Sequence, residues 1–338
     1  MAHEPKLEVF TIYLKSTTSE KRTFATYLEK AFKKTKGNPD YEKLYKSFFL
    51  FLLKQMDNTY HRDDKRKKAI GVKAKKRGEK LENTLSFASS QTIVEGTIKG
   101  GRYGQHRAIG DMEKPETDHA ELDDKKIVLD DFYFLLYTPL GSTKLILMLQ
   151  SYTDDTITDV FISFLRSALK TEGFYKPEID TKCPDLIKEE FKKYSLVKEI
   201  RYRENIILNE VEGNSNIDTK EVVVEIKITA KNEGEKLPKF ANLRRRLGLF
   251  SLKTSKSKGK SDTISLEEFQ TKVGTLANGS HISSFVLDSD FDIKPRIYLQ
   301  NHIQLQPDGT PEWESLKTYC KELLVEIKKE VYPENEIS

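Results

Sequence analysis

Residues 132–150 read FYFLLYTPLGSTKLILMLQ. Two apolar runs, 132–137 and 144–150, flank Pro139-Leu140-Gly141-Ser142, a sequence rich in turn formers. Neither run alternates with polar residues, so both predict strands covered on both faces, at the centre of a sheet. Directly downstream, residues 153–170 (TDDTITDVFISFLRSALK) place Ile157, Val160, Phe161, Phe164, Leu165 and Leu169 on one face. That spacing predicts a helix capped by Asp154 or Asp155 and packed on the strands. Its stripe also fits an oligomer or partner contact, but core packing accounts for it first.

Outward from this unit, Leu7–Leu14 reads as a strand, and Phe24, Tyr27, Leu28 and Phe32 recur at helical spacing. A second helix is expected from Tyr41 to about Asn58. Residues 61–80 show little apolar periodicity and read as an exposed loop. Residues 92–99 and 103–109 read as two strands joined at Gly100-Gly101, a hairpin turn. Residues 174–184 look like a connection, followed by a short helix at 185–194 and strands at 197–202 and 222–230. Residues 238–249 suggest a short helix and 251–261 a Ser/Lys linker. Strands are expected at 282–287 and 296–305, and after a turn at Pro307-Asp308-Gly309 a last helix buries Trp313, Leu316, Tyr319, Leu323, Leu324 and Ile327. Together these predict an α+β fold: a central mixed or antiparallel sheet, flanking helices and a packed C-terminal helix. The expected division is a region at 1–82 ending in a basic loop, and a core domain at 83–338 with a basic insert at 236–260.

Charge is the strongest functional signal. The 338-residue chain carries a formal net charge of only +4, yet residues 1–80 carry +11 and residues 236–260 carry +9, leaving −16 for the remainder. Two basic segments in an acidic body form the electrostatic footprint of a polyanion ligand. Lys65, Arg66, Lys67, Lys68, Lys73, Lys75, Lys76 and Arg77 are the candidate phosphate contacts of the first segment. Lys239, Arg244, Arg245, Arg246, Lys253, Lys256 and Lys258 are those of the second, and a common site requires the two segments to converge. The competing reading is a solvated surface. With 37% hydrophobic and 10% aromatic residues the chain is able to bury a core. Cys183 and Cys320 have no metal-site spacing and fit a reducing compartment. The N-terminus lacks a basic region followed by an apolar run, so a soluble, cytoplasmic protein is expected.

Catalytic signals are sparser. Glu225-Ile226-Lys227 matches the E-x-K of metal-dependent PD-(D/E)xK nucleases, where carboxylates hold Mg or Mn and the lysine orients water. Asp218, Glu210 and Glu221 are available as the further acidic ligand, although alternation on an amphipathic strand yields E-x-K unaided. His3, His61, His106, His119, His281 and His302 show no zinc-site spacing. Asp288, Asp290 and Asp292 lack the glycine and distal glutamate of an EF-hand. No cofactor is expected outside the nuclease reading.

FYFLLYTPLGSTKLILMLQ followed by TDDTITDVFISFLRSAL, then VVVEIKITAKNEGEKLPKF and the helix around TYCKELLVEIKKE, resembles in element order the RexA-like DNA-binding phage-exclusion proteins. The resemblance implies a sequence-tolerant DNA-binding role in prokaryotic antiviral defence or stress, with a partner protein from a neighbouring gene. The expectation is a nucleic-acid-binding protein, homo-oligomeric or not. The alternatives are the nuclease and an adaptor for an acidic protein.

Overall fold

The computed structural model describes residues 3–17, 22–34, 37–57, 59–72, 85–104, 107–110, 118–123, 125–194, 196–211, 217–230, 237, 251–255, 261–265, 271–278, 281–286 and 295–332. The described strands are β1 (Pro5–Tyr13), β2 (His61–Asp63), β3 (Lys68–Gly71), β4 (Ser86–Ala88), β5 (Ile93–Arg102), β6 (Arg107–Gly110), β7 (Asp118–Leu122), β8 (Asp130–Tyr137), β9 (Lys144–Tyr152) and β10 (Glu178–Lys182). They continue with β11 (Leu196–Val211), β12 (Ile217–Thr229), β13 (Ser251–Ser255), β14 (Ser261–Ser265), β15 (Thr271–Asn278), β16 (His281–Val286) and β17 (Ile297–Tyr298). The described α-helices are α1 (Phe24–Phe32), α2 (Tyr41–Met56), α3 (Thr158–Ala168), α4 (Asp185–Tyr194) and α5 (Trp313–Val331).

The two apolar runs are β8 and β9, adjacent and antiparallel with Phe134 opposite Leu149. They lie inside a nine-stranded sheet of order β10-β1-β9-β8-β5-β3-β2, with β17 also on β1 and β4 also on β5. All of its strand pairings are antiparallel. Period-two alternation sends successive side chains to opposite faces. Phe132, Phe134, Leu136, Leu145, Leu147 and Leu149 join Phe24, Tyr27 and Phe48 of α1 and α2 and Phe161 and Phe164 of α3 in one core. Tyr133, Leu135, Ile146 and Met148, also buried, take the other face, where α5 packs. Lys321 of α5 pairs with Glu95 at 3.0 Å, Glu95 accepts the Tyr133 hydroxyl at 2.7 Å, and the Tyr332 hydroxyl donates to the Lys144 carbonyl at 2.9 Å. Covered on both sides, these strands have no position at which a polar side chain is favoured, which explains the unbroken apolar runs.

Several expectations need correction. Gly100 and Gly101 do not turn the chain; they lie within β5, which runs straight through to Arg102. A Cβ on Gly101, at φ +154°, would meet the Val128 carbonyl oxygen at 1.9 Å, and one on Gly100 would meet Ile157 Cγ2 at 2.8 Å. The glycines provide clearance where residues 127–129 cross the strand and α3 begins. Residues 61–72 are not a loop: β2 and β3 form an antiparallel pair whose β3 is fully buried. The connection at 174–184 contains β10, an edge strand on β1 whose polar sequence reflects its exposure. The stretch expected as a linker at 251–261 holds β13, paired with β14. The strand expected at 296–305 is the two-residue β17 followed by a 3₁₀ turn at Leu299–Asn301. Helix α3 begins after Ile157 with no side-chain cap, so neither Asp154 nor Asp155 caps it. The helix expected at 238–249 lies outside the described residues.

The chain divides into two compact units, Met1–Pro184 with Arg296–Ser338, and Asp185–Pro295. The boundary expected at residue 82 therefore falls inside the first unit, because β1, β2 and β3 share a sheet with β5, β8 and β9. The second unit holds a four-stranded sheet of order β12-β11-β15-β16, with Val197, Ile200 and Tyr202 buried. Among the described residues no helix is long and apolar enough to cross a membrane.

Candidate functional site

The β2–β3 hairpin carries the described part of the first basic segment. Asp63 closes its loop by accepting from the Arg66 backbone N–H at 3.1 Å and from the Arg66 guanidinium at 2.8 Å. These bonds hold the Asp63 carboxyl below its ordinary range, keeping it charged at neutral pH. In the register His61↔Ile70 and Arg62↔Ala69, the first pair faces α3, with the His61 ring 5.4 Å from Phe164. The second pair faces the other way. α5 covers the central strands on that side, and at the β2–β3 end the described residues leave an open recess.

A cavity of about 350 Å³ opens there, lined by Tyr60, Arg62, Ala69, Tyr103, Lys125 and Ile127. Tyr103 is placed by the glycines of β5, by its backbone N–H donating to the Lys67 carbonyl at 3.0 Å, and by an isolated bridge to Ile127. Its hydroxyl donates to Asp64 at 2.5 Å, and its ring centroid lies 6.0 Å from the Arg62 guanidinium carbon and 5.6 Å from Lys67 Nζ. Partial desolvation and the Asp64 hydrogen bond push the Tyr103 hydroxyl up to about 12, so it stays protonated as a donor. Tyr60 is 42% exposed. It fits beside the strand because position 71 is glycine: a Cβ there would lie 3.1 Å from Tyr60 Cδ1.

Arg62, Lys65, Lys67 and Lys125 are exposed, and none is ion-paired among the described residues. Lys67 also occupies a left-handed conformation at φ 54°. A non-glycine residue there is held against a local cost of about 1 kcal/mol. Its neighbour Lys68 is a correction to the expected phosphate contacts. It is buried, and its ammonium lies 3.0 Å from Asp159 at the start of α3, while Arg66 Nε reaches the same carboxylate at 3.1 Å. Both residues tie the hairpin to α3, and Lys68 does not face solvent.

Lys73, Lys75, Lys76 and Arg77 lie outside the described residues, as do Lys239, Arg244, Arg245, Arg246, Lys256 and Lys258. Of Lys253 only the backbone, in β13, is described. The expected convergence of the two basic segments thus concerns residues outside the description, and the recess is built from the first unit alone.

Glu225 and Lys227 lie on the exposed face of β12, where their cross-strand partners are Arg203 and Arg201. Lys227 Nζ is 2.7 Å from Glu199, which also accepts from Arg201. The bond from Lys227, followed by that from Arg201, holds the Glu199 carboxyl below its ordinary range despite its burial. Asp218 lies seven residues from Glu225 on the same strand. Its backbone is about 23 Å away along the strand at ~3.3 Å per residue, too far to share a metal. Among the described residues no group of three His, Cys, Asp or Glu is arranged to hold a metal ion. Cys183 and Cys320 are buried, and burial pushes the Cys320 thiol up, away from reactivity. His3 stacks on Tyr152 and pairs with Asp154 at 2.7 Å, and His302 stacks on Tyr319.

Tyr60, Arg62, Tyr103 and Lys125 were not among the sequence candidates. The available signal was aromatic residues interleaved with basic ones in TYHR and GGRYG. Only the β2–β3–β5 pairing brings the two stretches together. No protein-family model, curated protein or solved structure matches this chain.

Proposed function

We propose that the chain binds nucleic acid on the recessed face of the β2–β3 hairpin, using Arg62, Lys65, Lys67 and Lys125 against phosphates. The observation that carries this is the placement of exposed cations with no ion pair among the described residues: Arg62 and Lys125 line the recess with Tyr60 and Tyr103, and Lys67 lies 5.6 Å from the Tyr103 ring. Phosphate contacts account for most sequence-independent affinity, and the counterions released as each forms give binding its salt dependence. Contacts to the phosphate backbone carry no sequence information, which fits sequence-tolerant binding. A place in prokaryotic defence or stress, with a partner protein, rests on the RexA-like resemblance alone.

The test is fluorescence anisotropy of a labelled oligonucleotide across a salt series. Binding should weaken linearly on a log–log plot, with the slope falling by about one for each contacting cation neutralised. Affinity that ignores salt contradicts the proposal.

Lys67 gives a sharper expectation, because its backbone conformation and its charge pull in opposite directions. Lys67→Gly should raise stability in urea unfolding by up to about 1 kcal/mol, since glycine accepts the left-handed conformation freely. The same substitution should weaken binding of a duplex oligonucleotide roughly eightfold at ~0.1 M salt, the effect of one lost phosphate contact. Unchanged binding would place Lys67 outside the interface.

A further inference from the structure

We infer that the cavity between Tyr60 and Tyr103 receives one unstacked base, so that the interface prefers single-stranded nucleic acid to duplex. The inference deepens the nucleic-acid reading and rests on it. The cavity, about 350 Å³, is at the lower end of small-molecule sites and has room for a base with its sugar. Its lining includes the aromatic Tyr60 and Tyr103, the small Ala69 and the apolar Ile127. These surfaces match the faces of a base, which in a duplex are hidden by neighbouring stacked pairs.

The Tyr103 ring is held in place before any ligand arrives. Its hydroxyl is fixed by Asp64, its backbone by Lys67, and Arg62 and Lys67 stand within about 6 Å of its centroid. The ring itself loses little freedom when a base stacks on it, the base taking the place of a cation that lies over the ring. The cations around it sit where the phosphates flanking a seated base would pass, which joins stacking to charge neutralisation as single-strand binders do. A duplex meets the same cations without filling the cavity.

The experiment compares a 12-nucleotide single strand carrying 2-aminopurine with its duplex, at one salt concentration. The wild-type protein is expected to bind the single strand at least about tenfold more tightly and to change the 2-aminopurine fluorescence. Tyr103→Leu is expected to reduce single-strand affinity about tenfold and duplex affinity by clearly less, whereas Tyr103→Phe, which keeps the ring, retains single-strand binding. Circular dichroism of both variants separates loss of the platform from loss of fold. Equal affinity for the two forms overturns the inference, as does single-strand binding untouched in Tyr103→Leu, or competition by adenosine monophosphate as effective as by the 12-mer. In those cases the nucleic-acid reading itself stands if Arg62→Glu with Lys125→Glu still weakens binding. If the charge variant also changes nothing, the nucleic-acid reading fails with it.

Discussion

Reversing two charges of the recess, Arg62→Glu with Lys125→Glu, is expected to weaken binding of a duplex oligonucleotide by at least about 60-fold at ~0.1 M salt. Two lost phosphate contacts multiply the observed constant by about [salt] to the power 1.8, which gives that factor before any added repulsion. Both side chains are exposed and neither is ion-paired among the described residues, so the fold should persist. Surface substitutions free of packing or pairing usually move stability by less than about 0.5 kcal/mol. The comparison variant is Arg66→Gln. Arg66 belongs to the same basic run, but its guanidinium is held by Asp63 and Asp159. Its loss should alter hairpin stability more than affinity. Anisotropy and urea unfolding on the same samples distinguish the two effects. Equal losses of affinity in both variants would mean that net charge, and not the recess, governs binding.

Gly101→Ala is expected to have the largest effect on stability, a loss of at least about 3 kcal/mol. The added Cβ would stand 1.9 Å from a backbone oxygen, Val128 O, which cannot rotate away as a side chain can. The same position holds φ +154°, unfavourable for any residue with a Cβ. Gly309→Ala separates the two causes. Gly309 has φ +85° with nothing within 4 Å of its added Cβ, so it should cost only about 1 kcal/mol. The single tryptophan, Trp313 in α5, lies in the same unit as both glycines and reports that unit's unfolding by fluorescence. If Gly101→Ala costs no more than Gly309→Ala, the close crossing of residues 127–129 over β5 is wrong. Because that crossing also positions Tyr103 and Lys125, Gly101→Ala should weaken nucleic-acid binding even where the protein remains folded.

What could be read from the chain follows from which forces are local. The runs FYFLLY and KLILMLQ declared central strands because burial on two faces leaves no alternation to hide. The stripe of α3 was legible for the same reason, since a helix facing a core repeats its apolar side every turn. The glycines at 100 and 101 were misread because sequence alone does not distinguish a glycine that turns the chain from one that makes room for a distant segment. β10 went unseen because EIDTK, on the sheet edge, is largely exposed and carries little apolar pattern. Lys68 looked like its neighbours in the basic run, and its partner Asp159 is 91 residues away.

The functional signal was divided in the same way. The concentration of charge at 61–80 is visible in composition, but composition does not say which cations are occupied. Pairing removes Arg66 and Lys68 from the set, and the sheet supplies Tyr103 and Lys125 from elsewhere in the chain. The E-x-K spacing of Glu225 and Lys227 was real, yet Asp218 lies seven residues away along the same strand, and Lys227 is engaged by Glu199.

The most direct measurement is ultraviolet cross-linking of the full-length protein to a 5-bromouracil oligonucleotide, with the attachment sites mapped by peptide mass spectrometry. The proposed interface predicts attachment at Tyr60 or Tyr103, reduced in the Arg62→Glu with Lys125→Glu variant. Efficient cross-linking confined to residues 185–295, with the Tyr60 and Tyr103 peptides unmodified, would contradict it.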